Sequence, residues 1–307
     1  MYTIGMKTSH KKLALMWKQI AALDLAYFKQ AKKPTGCVVS YDHDYVGDHH
    51  PMHQLEIIRP EHHEGLLPVI VMIHGGGWVY GHKDSYYRYY AMELAHYGYA
   101  VVSCNYRLGF EDPFPAQVDD LFSVLHWLEA HAESEQLLLE DLYLVGDSAG
   151  AHLSALVAQI QTSPMLQTAF SVKPIHHSIK ALGLSCGVYD LSRLVNSSVD
   201  LPMKDTLMEV LFDDEAYESL PLFSLASVSK NLNSNFPPCF IISSKADPLY
   251  PESKVFMEEL SSIKHPYKSH VFPKKNQLPH VFNLKSIYPE SAVVNAEMIA
   301  FFASFKS

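Results

Sequence analysis

The chain has 307 residues, 48% of them hydrophobic, which is enough to bury a large core without disulfide or metal support. Its formal net charge is −9, from 24 Lys and Arg against 33 Asp and Glu, which excludes the basic surface of a nucleic-acid-binding protein. No segment approaches the roughly 18 consecutive apolar residues of a membrane span.

The N-terminal segment predicts an amphipathic helix over residues 10–31, because apolar residues recur there every three or four positions. Lys18, Asp24 and Lys29 interrupt the apolar stretch, and no small-residue cleavage site follows. We therefore expect a folded helix here and not a signal peptide. Two strands, at 37–46 and 53–59, come next.

The rest of the chain alternates between apolar strands and helical segments. Strands are predicted at 67–73, 99–106, 142–145, 179–185, 239–243 and 270–272, and helices at 86–97, 116–131, 151–161, 257–263 and 292–305. This alternation predicts a mainly parallel, doubly wound sheet with helices on both faces. Residues 187–236 break the alternation, which predicts a cap-like helical insertion within a single domain spanning 1–307.

Residues 146–150, Gly-Asp-Ser-Ala-Gly, form a G-x-S-x-G motif between a predicted strand and a predicted helix. Small residues around Ser148 let the backbone turn sharply, which lifts the serine side chain above the sheet. The following helix points its N-terminal amides and its dipole at this position. The motif in this context predicts a nucleophile, and the alternative is a serine that only caps a helix.

A second glycine-rich segment, His-Gly-Gly-Gly-Trp at residues 74–78, follows the buried strand predicted at 67–73. Glycines let backbone N–H groups turn toward a developing oxyanion, where side chains would obstruct the turn and the substrate. Such loops form the oxyanion hole of lipases and esterases. We predict Gly76, Gly77 and Ala149 as the donors, and the alternative is a plain glycine turn after a strand.

A nucleophilic serine needs a base, and the base needs a carboxylate that orients it. Where the serine occupies such a strand-to-helix turn, the acid and then the histidine follow it in the chain. Asp247 and His280 each follow a predicted strand, in loops at the edge where open α/β sheets place their sites. We predict Ser148, Asp247 and His280 as the catalytic residues, with Asp190, after the strand at 179–185, as the competing acid.

Aromatic residues after the glycine-rich loop, Trp78 and Tyr80 among them, are candidates to line a substrate cleft, and core packing is the equal alternative. The 18 histidines include clusters at 49–53, 62–63 and 176–177, in polar segments without accompanying Cys or Asp clusters. We interpret these clusters as solvated surface and expect no metal.

The four cysteines, Cys37, Cys104, Cys186 and Cys239, are widely separated and form no CxxC pair. Three of them lie in or beside apolar segments, where a free cysteine behaves as a small buried hydrophobe. A disulfide framework is not expected, and we predict a soluble, cytoplasmic protein.

Together these segments resemble the hormone-sensitive-lipase-like branch of the α/β-hydrolase esterases. The resemblance rests on HGGGW at 74–78, YRL at 106–108, PFPA at 113–116, two aspartates at 119–120, GDSAGAHL at 146–153, DPL at 247–249 and HVF at 280–282. The chain is also similar to bacterial acetylesterases and feruloyl-esterase-like enzymes. It departs from the usual pattern at Gly109-Phe110, where Ala-Pro is common, and at Pro279, where glycine is common.

The resemblance implies an α/β-hydrolase fold, with a mostly parallel eight-stranded sheet, helices on both faces and a small helical cap. It also implies a carboxylesterase that hydrolyses short-chain acyl esters through an acyl-enzyme, with a small-molecule ester as its partner and no cofactor. The alternatives are a peptidase or amidase on the same scaffold and a non-catalytic binding protein. The oligomeric state is left open, a homodimer included.

Overall fold

The computed structural model of the chain describes residues 7–196, 199 and 201–307. Its eight strands are β1 Cys37–Asp44, β2 Gln54–Pro60, β3 Leu67–Ile73, β4 Ala100–Cys104, β5 Leu137–Asp147, β6 Ile179–Ser185, β7 Cys239–Ser244 and β8 Tyr267–Phe272. They form one sheet in the order β1-β2-β4-β3-β5-β6-β7-β8. β1 and β2 run antiparallel to their neighbours and all other pairs are parallel.

Ten α-helices accompany these strands in the described part of the chain. They are α1 Thr8–Gln30, α2 Tyr86–Ala95, α3 Ala116–His131, α4 Ala149–Gln161, α5 Pro164–Phe170, α6 Leu191–Asn196, α7 Lys204–Phe212, α8 Pro221–Leu225, α9 Tyr250–Ser262 and α10 Pro289–Ala303. The predicted N-terminal helix corresponds to α1, and α6, α7 and α8 lie within the predicted insertion. Each described helix is too short or too polar to cross a lipid bilayer.

The central strands are buried on both faces, because successive side chains of a strand point to opposite sides. In β3, Val69, Val71 and Ile73 pack into a core that includes residues of α3, α4 and α9. Ile70 and Met72 pack into a second core that includes residues of α2 and α10. Helices therefore cover both faces of the sheet, as the alternation of strands and helices predicted.

Several elements begin earlier than predicted where polar residues interrupt an apolar pattern, and the largest difference is at α9, which begins at Tyr250 and not at 257. β5 begins at Leu137, five residues before the predicted start, because Glu140 and Asp141 lie at an irregularity in its pairing with β3. β8 begins at Tyr267 and not at 270, because an edge strand tolerates the exposed Lys268 and Ser269.

Parallel strands direct their carboxyl ends to one edge of the sheet. The loops after β3, β5, β6, β7 and β8 therefore emerge on the same side. These loops carry the glycine-rich segment, Ser148, Cys186, Asp247 and His280, in that chain order. The sheet topology thus brings together residues that lie far apart in the chain.

Candidate active site

Ser148 occupies the tight turn between β5 and α4. Its φ of 53° and ψ of −118° are unusual for a residue with a side chain, and its N–H donates to the Ser185 carbonyl at 2.8 Å. A Cβ on Gly146 would lie 2.3 Å from the Gly150 carbonyl oxygen, and one on Gly150 would lie 2.1 Å from that of Ile73. The motif therefore needs glycine at both ends, because the turn leaves no room for a larger residue.

His280 and Asp247 form a hydrogen-bonded pair beside this turn. His280 Nδ1 lies 2.8 Å from Asp247 Oδ2, and Asp247 Oδ1 accepts the Leu249 N–H at 2.7 Å. The Asp247 side chain is fully buried, whereas that of His280 is 33% exposed. This is the arrangement in which a carboxylate holds the tautomer of a histidine and leaves its Nε2 available to a substrate.

The pair stabilises the charged forms of both groups. Burial raises the pKa of Asp247. The charge and hydrogen bond of His280, with smaller contributions from Cys186 and the Leu249 N–H, together outweigh burial and hold that pKa below its usual range. Burial lowers the pKa of His280, and the charge and hydrogen bond of Asp247 outweigh it, so that this pKa lies above its ordinary value. The site therefore stabilises the imidazolium that forms when the histidine accepts a proton.

Cys186 is a contact of the acid that sequence reasoning missed, because a buried cysteine after a strand indicates only core packing. Its sulfur, a carboxylate oxygen of Asp247 and a ring nitrogen of His280 lie within 4.8 Å of one another. Cys186 is buried and has a positive φ of 51°. The thiol thus lies close to both the acid and the histidine.

The predicted oxyanion loop follows β3. Gly76 has a φ of 110° and Gly77 a φ of 57°, both in the region that favours glycine. Gly76 lines the same cavity as Ser148 and His280. Ala149 is the first residue of α4, where backbone N–H groups have no partner within the helix. The three predicted donors therefore lie in segments whose backbone geometry suits the role.

Asp147, the residue before the serine, ties this loop to the nucleophile turn. Its Oδ1 accepts the Gly75 N–H at 3.0 Å, and its Oδ2 accepts the Tyr87 hydroxyl at 3.0 Å. Burial raises the pKa of Asp147 to about 6, while the Tyr87 hydrogen bond and the His280 charge act in the opposite direction. Asp147, for which no role was predicted from the sequence, thus links β5 to the loop after β3.

A cavity of about 270 Å³ opens at this edge of the sheet. It is lined by Trp17, Ile20, Leu23, Asp24, Tyr27, Gly76, Tyr80, Tyr86, Tyr87, Asp147, Ser148, Pro279, His280, Val281 and Lys285. Five of these residues belong to α1. Helix α1 was predicted from the sequence but its part in the site was not, because amphipathic periodicity does not reveal what a helix packs against.

Tyr80 and Trp78, the two predicted cleft residues, lie in different environments. Tyr80 lines the cavity and stacks on Trp17, with ring centroids 5.6 Å apart. Trp78 does not line the cavity and is a core residue, 1% exposed. Its Nε1–H donates to His152 Nδ1 at 3.1 Å, and His152 Nε2 donates to the Ala226 carbonyl at 2.9 Å. We correct the prediction for Trp78, because this hydrogen-bonded chain directs its ring into the core.

Asp190, the competing acid, lies at the start of α6. Its Oδ1 accepts the N–H groups of Ser192 at 2.9 Å and Arg193 at 3.2 Å, as well as the Ser227 hydroxyl at 3.2 Å. These contacts make Asp190 the cap of a helix in the insertion. The structure pairs His280 with Asp247.

One group among the described residues has the composition of a metal site, namely Cys186, Asp247 and His280, whose ligand atoms lie within 4.8 Å of one another. Two of these side chains, Asp247 and His280, already form a hydrogen-bonded pair. None of the histidine clusters noted in the sequence belongs to this group. A site without a metal or other cofactor stays a prediction.

The family model of BD-FAE matches residues 55–260, the stretch that runs from β2 into α9. The chain belongs to the BD-FAE family. The match includes Ser148, Asp247 and the glycine-rich loop of this BD-FAE protein, whereas α1 and His280 lie outside it.

Solved structures resemble this BD-FAE chain over nearly its whole length. Esterase B from Lactobacillus rhamnosis is 30% identical, with a TM-score of 0.89, and the match covers 97% of this chain and 95% of that one. A second structure of esterase B, inhibited by a C4-C4 tributyrin phosphonate, is 29% identical with a TM-score of 0.88 and the same coverage. The predicted α/β-hydrolase fold and the resemblance to the hormone-sensitive-lipase-like esterases are confirmed.

The curated proteins that are similar in sequence to this BD-FAE chain include several named as esterases. A probable carboxylic ester hydrolase of Mycobacterium tuberculosis is 27% identical over 202 residues, which are 65% of this chain and 46% of that protein. An acetyl esterase of Salmonella typhi is 28% identical over 213 residues, 66% of this chain and 62% of the relative. The matches thus span about half to three fifths of the length of these two proteins.

Proposed function

We propose that this protein is a serine carboxylesterase that hydrolyses esters of short acyl groups. One observation carries the proposal: Ser148, His280 and Gly76 of the glycine-rich loop line one cavity. Ser148 has a strained backbone, and His280 Nδ1 lies 2.8 Å from Asp247 Oδ2. Nucleophile, oriented base and oxyanion donors are the parts that acyl transfer requires.

The chemistry follows from the roles of these groups. His280 Nε2 takes the proton of the Ser148 hydroxyl as its oxygen attacks the ester carbonyl carbon. The N–H groups of Gly76, Gly77 and Ala149 stabilise the negative charge on the carbonyl oxygen. The imidazolium then gives the proton to the departing alcohol, and an acyl-enzyme remains on Ser148. Water, activated by the same histidine, releases the carboxylic acid and restores the serine.

The relatives support an ester with a short acyl group. An acetyl esterase and a versiconal hemiacetal acetate esterase are among them, and both names refer to acetyl esters. A tributyrin phosphonate inhibits esterase B, and such an inhibitor imitates the tetrahedral species of butyryl transfer. We therefore propose that this protein hydrolyses esters of both acetyl and butyryl groups.

We also propose a cytoplasmic location. All four cysteines are unpaired, and disulfide bonds are rare in the reducing cytoplasm. The oligomeric state stays open, and a homodimer is one of the alternatives.

The test of this function is the Ser148→Ala variant assayed with p-nitrophenyl acetate. Loss of the nucleophile is expected to lower kcat by several orders of magnitude, on the order of 10⁶ by analogy with subtilisin. The melting temperature is expected to stay close to that of the wild type. Both proteins are also treated with a butyl phosphonate inhibitor and digested. Mass spectrometry should then find the butyl phosphonate on a peptide containing Ser148 in the wild type and no adduct in the variant.

Ser123→Ala is the matched control. Ser123 lies on α3, and its hydroxyl donates to the Asp119 carbonyl within the same helix. Activity of Ser148→Ala within tenfold of this control would contradict a serine nucleophile. A p-nitroanilide cleaved faster than the matching ester would favour the amidase alternative, and a wild type without turnover of either would favour a binding protein.

A further inference from the structure

A pair of opposite charges lies in the wall of the cavity that holds Ser148. Asp24 comes from α1 and Lys285 from the segment before α10, and both line the cavity. Their side chains are only 15% and 12% exposed. Charged groups are costly to bury unless they are paired and hydrogen bonded, so the position of this pair calls for an explanation.

Asp24 lies beside two hydroxyl-bearing aromatic residues. Tyr80 and Tyr86 line the cavity with it. Burial raises the pKa of Asp24, while Lys285 and these two tyrosines act in the opposite direction. Lys285 approaches Asp24 to 3.7 Å and lies over the Tyr27 ring at 4.3 Å from its centroid. That separation exceeds the 2.7–2.9 Å of a direct charge-assisted hydrogen bond, so the ammonium keeps donors for another partner.

The pair offers an acceptor and a donor side by side. A hydroxyl group can donate to the carboxylate and accept from the ammonium at the same time. An anionic ligand group would meet the negative charge of Asp24, and a cationic group would meet the positive charge of Lys285. The chemistry of the pair therefore selects a neutral hydroxyl.

Trp17 supplies a second feature of the same wall. Its indole Nε1–H is buried and has no hydrogen-bond partner among the described residues. Its ring is stacked on Tyr80, at an interplanar angle of 26°. The stacked rings of Trp17 and Tyr80 give the wall beside the charged pair a flat aromatic surface.

We propose that Asp24 and Lys285 bind a free hydroxyl group on the alcohol part of the substrate, so that the preferred substrates are partial esters of polyhydroxylated alcohols. This inference rests on the proposed function. Acetyl and butyryl groups carry no hydroxyl, which places the recognised group on the alcohol. Asp24 and Lys285 are specificity residues in this proposal, distinct from the residues that form the acyl-enzyme.

The experiment compares two butyrate esters that differ only in hydroxyl groups. Glycerol 1-monobutyrate and propyl butyrate share the acyl group and the three-carbon alcohol. We expect the wild type to favour the glycerol ester in kcat/KM. Asp24→Asn and Lys285→Met should each reduce that preference by about tenfold to a hundredfold, which is the range for losing a hydrogen bond to a charged group.

The ratio of the two kcat/KM values is measured on one preparation, so it does not depend on the fraction of folded enzyme. Lys254→Met is the control, because Lys254 pairs at 3.6 Å with Glu258 on the surface of α9, where both side chains are more than half exposed. This control should keep both the activity and the ratio of the wild type.

Three results would overturn the inference. The first is a wild type that favours propyl butyrate or makes no distinction, and the second is an unchanged ratio in both Asp24→Asn and Lys285→Met. The third is a preference for ethyl 3-hydroxybutyrate over ethyl butyrate that depends on Lys285, which would place the hydroxyl on the acyl part. A wild type that hydrolyses no ester, p-nitrophenyl acetate included, would instead refute the proposed function.

Discussion

Asp247 and Asp190 show how neighbouring atoms assign different roles to the same side chain. Asp247 accepts from His280 Nδ1 and from the Leu249 N–H, so its carboxylate is oriented toward the histidine. Asp190 accepts two backbone N–H groups at the start of α6 and stabilises a helix. Removing the charge should therefore affect catalysis at one position and stability at the other.

We predict that Asp247→Asn lowers kcat by roughly 10⁴, because an amide at this position favours the wrong tautomer of His280. Asp190→Asn should retain most of the activity, because its contacts lie within the insertion. Steady-state kinetics with p-nitrophenyl acetate measures both effects, and thermal melting should show both variants folded. If kcat falls by roughly 10⁴ in Asp190→Asn and does not fall in Asp247→Asn, the acid has been assigned to the wrong strand.

The loop between β3 and α2 depends on contacts from several other elements. Asp147 at the end of β5 accepts the Gly75 N–H, and the Tyr106 hydroxyl donates to the His74 carbonyl at 2.8 Å. Trp78 anchors the other end of the glycine run through His152 of α4. A loop held in this way keeps its amides oriented before substrate binds, which is the condition for effective oxyanion stabilisation.

The Gly76→Ala variant tests the oxyanion role of this loop. A Cβ there would lie 2.0 Å from the Tyr80 carbonyl oxygen, and a φ of 110° is unfavourable for alanine, so the loop must move. We expect kcat for p-nitrophenyl acetate to fall by about 10²–10³, the effect of losing one oxyanion donor.

Gly98→Ala is the matched control for Gly76→Ala. Gly98 also has a positive φ, of 85°, but an added Cβ would have no atom of the described residues within 4 Å. This variant should lose some thermal stability and keep its kcat. A kcat for Gly76→Ala within threefold of this control would contradict an oxyanion role for the loop.

At the scale of the whole molecule, the site joins the two ends of the chain. α1 supplies Trp17, Asp24 and Tyr27 to the cavity, and His280 and Lys285 come from the segment that follows β8. The resulting space of about 270 Å³ lies just below the roughly 300–1,000 Å³ typical of small-molecule pockets. Closure by α1 therefore limits the size of the ester that fits.

We predict that kcat/KM is highest for acyl groups from acetyl to about butyryl and falls for longer chains, because a cavity of about 270 Å³ cannot hold both a long acyl chain and the alcohol. A series of p-nitrophenyl esters from acetate to palmitate, each below the concentration at which it aggregates, measures the trend. A rate that climbs steadily to palmitate would contradict it.

Features that depend on local chemistry follow from the sequence alone. The strand at 67–73 and the helix at 116–131 have the predicted bounds, because unbroken apolar runs and helical periodicity are local patterns. The turn at Ser148 was predicted from five adjacent residues, because a turn this tight requires glycine on both sides. The esterase branch was likewise predicted from short motifs in a fixed order, and the BD-FAE family match agrees with it.

Contacts between distant parts of the chain were decided only by the tertiary structure. Periodicity predicted α1 but could not show that Asp24 meets Lys285, more than two hundred residues away. It could not separate Tyr80, which lines the cavity, from Trp78, which packs in the core. The reason is physical: a side chain's role depends on the atoms that surround it, and strand order and helix packing determine which atoms those are.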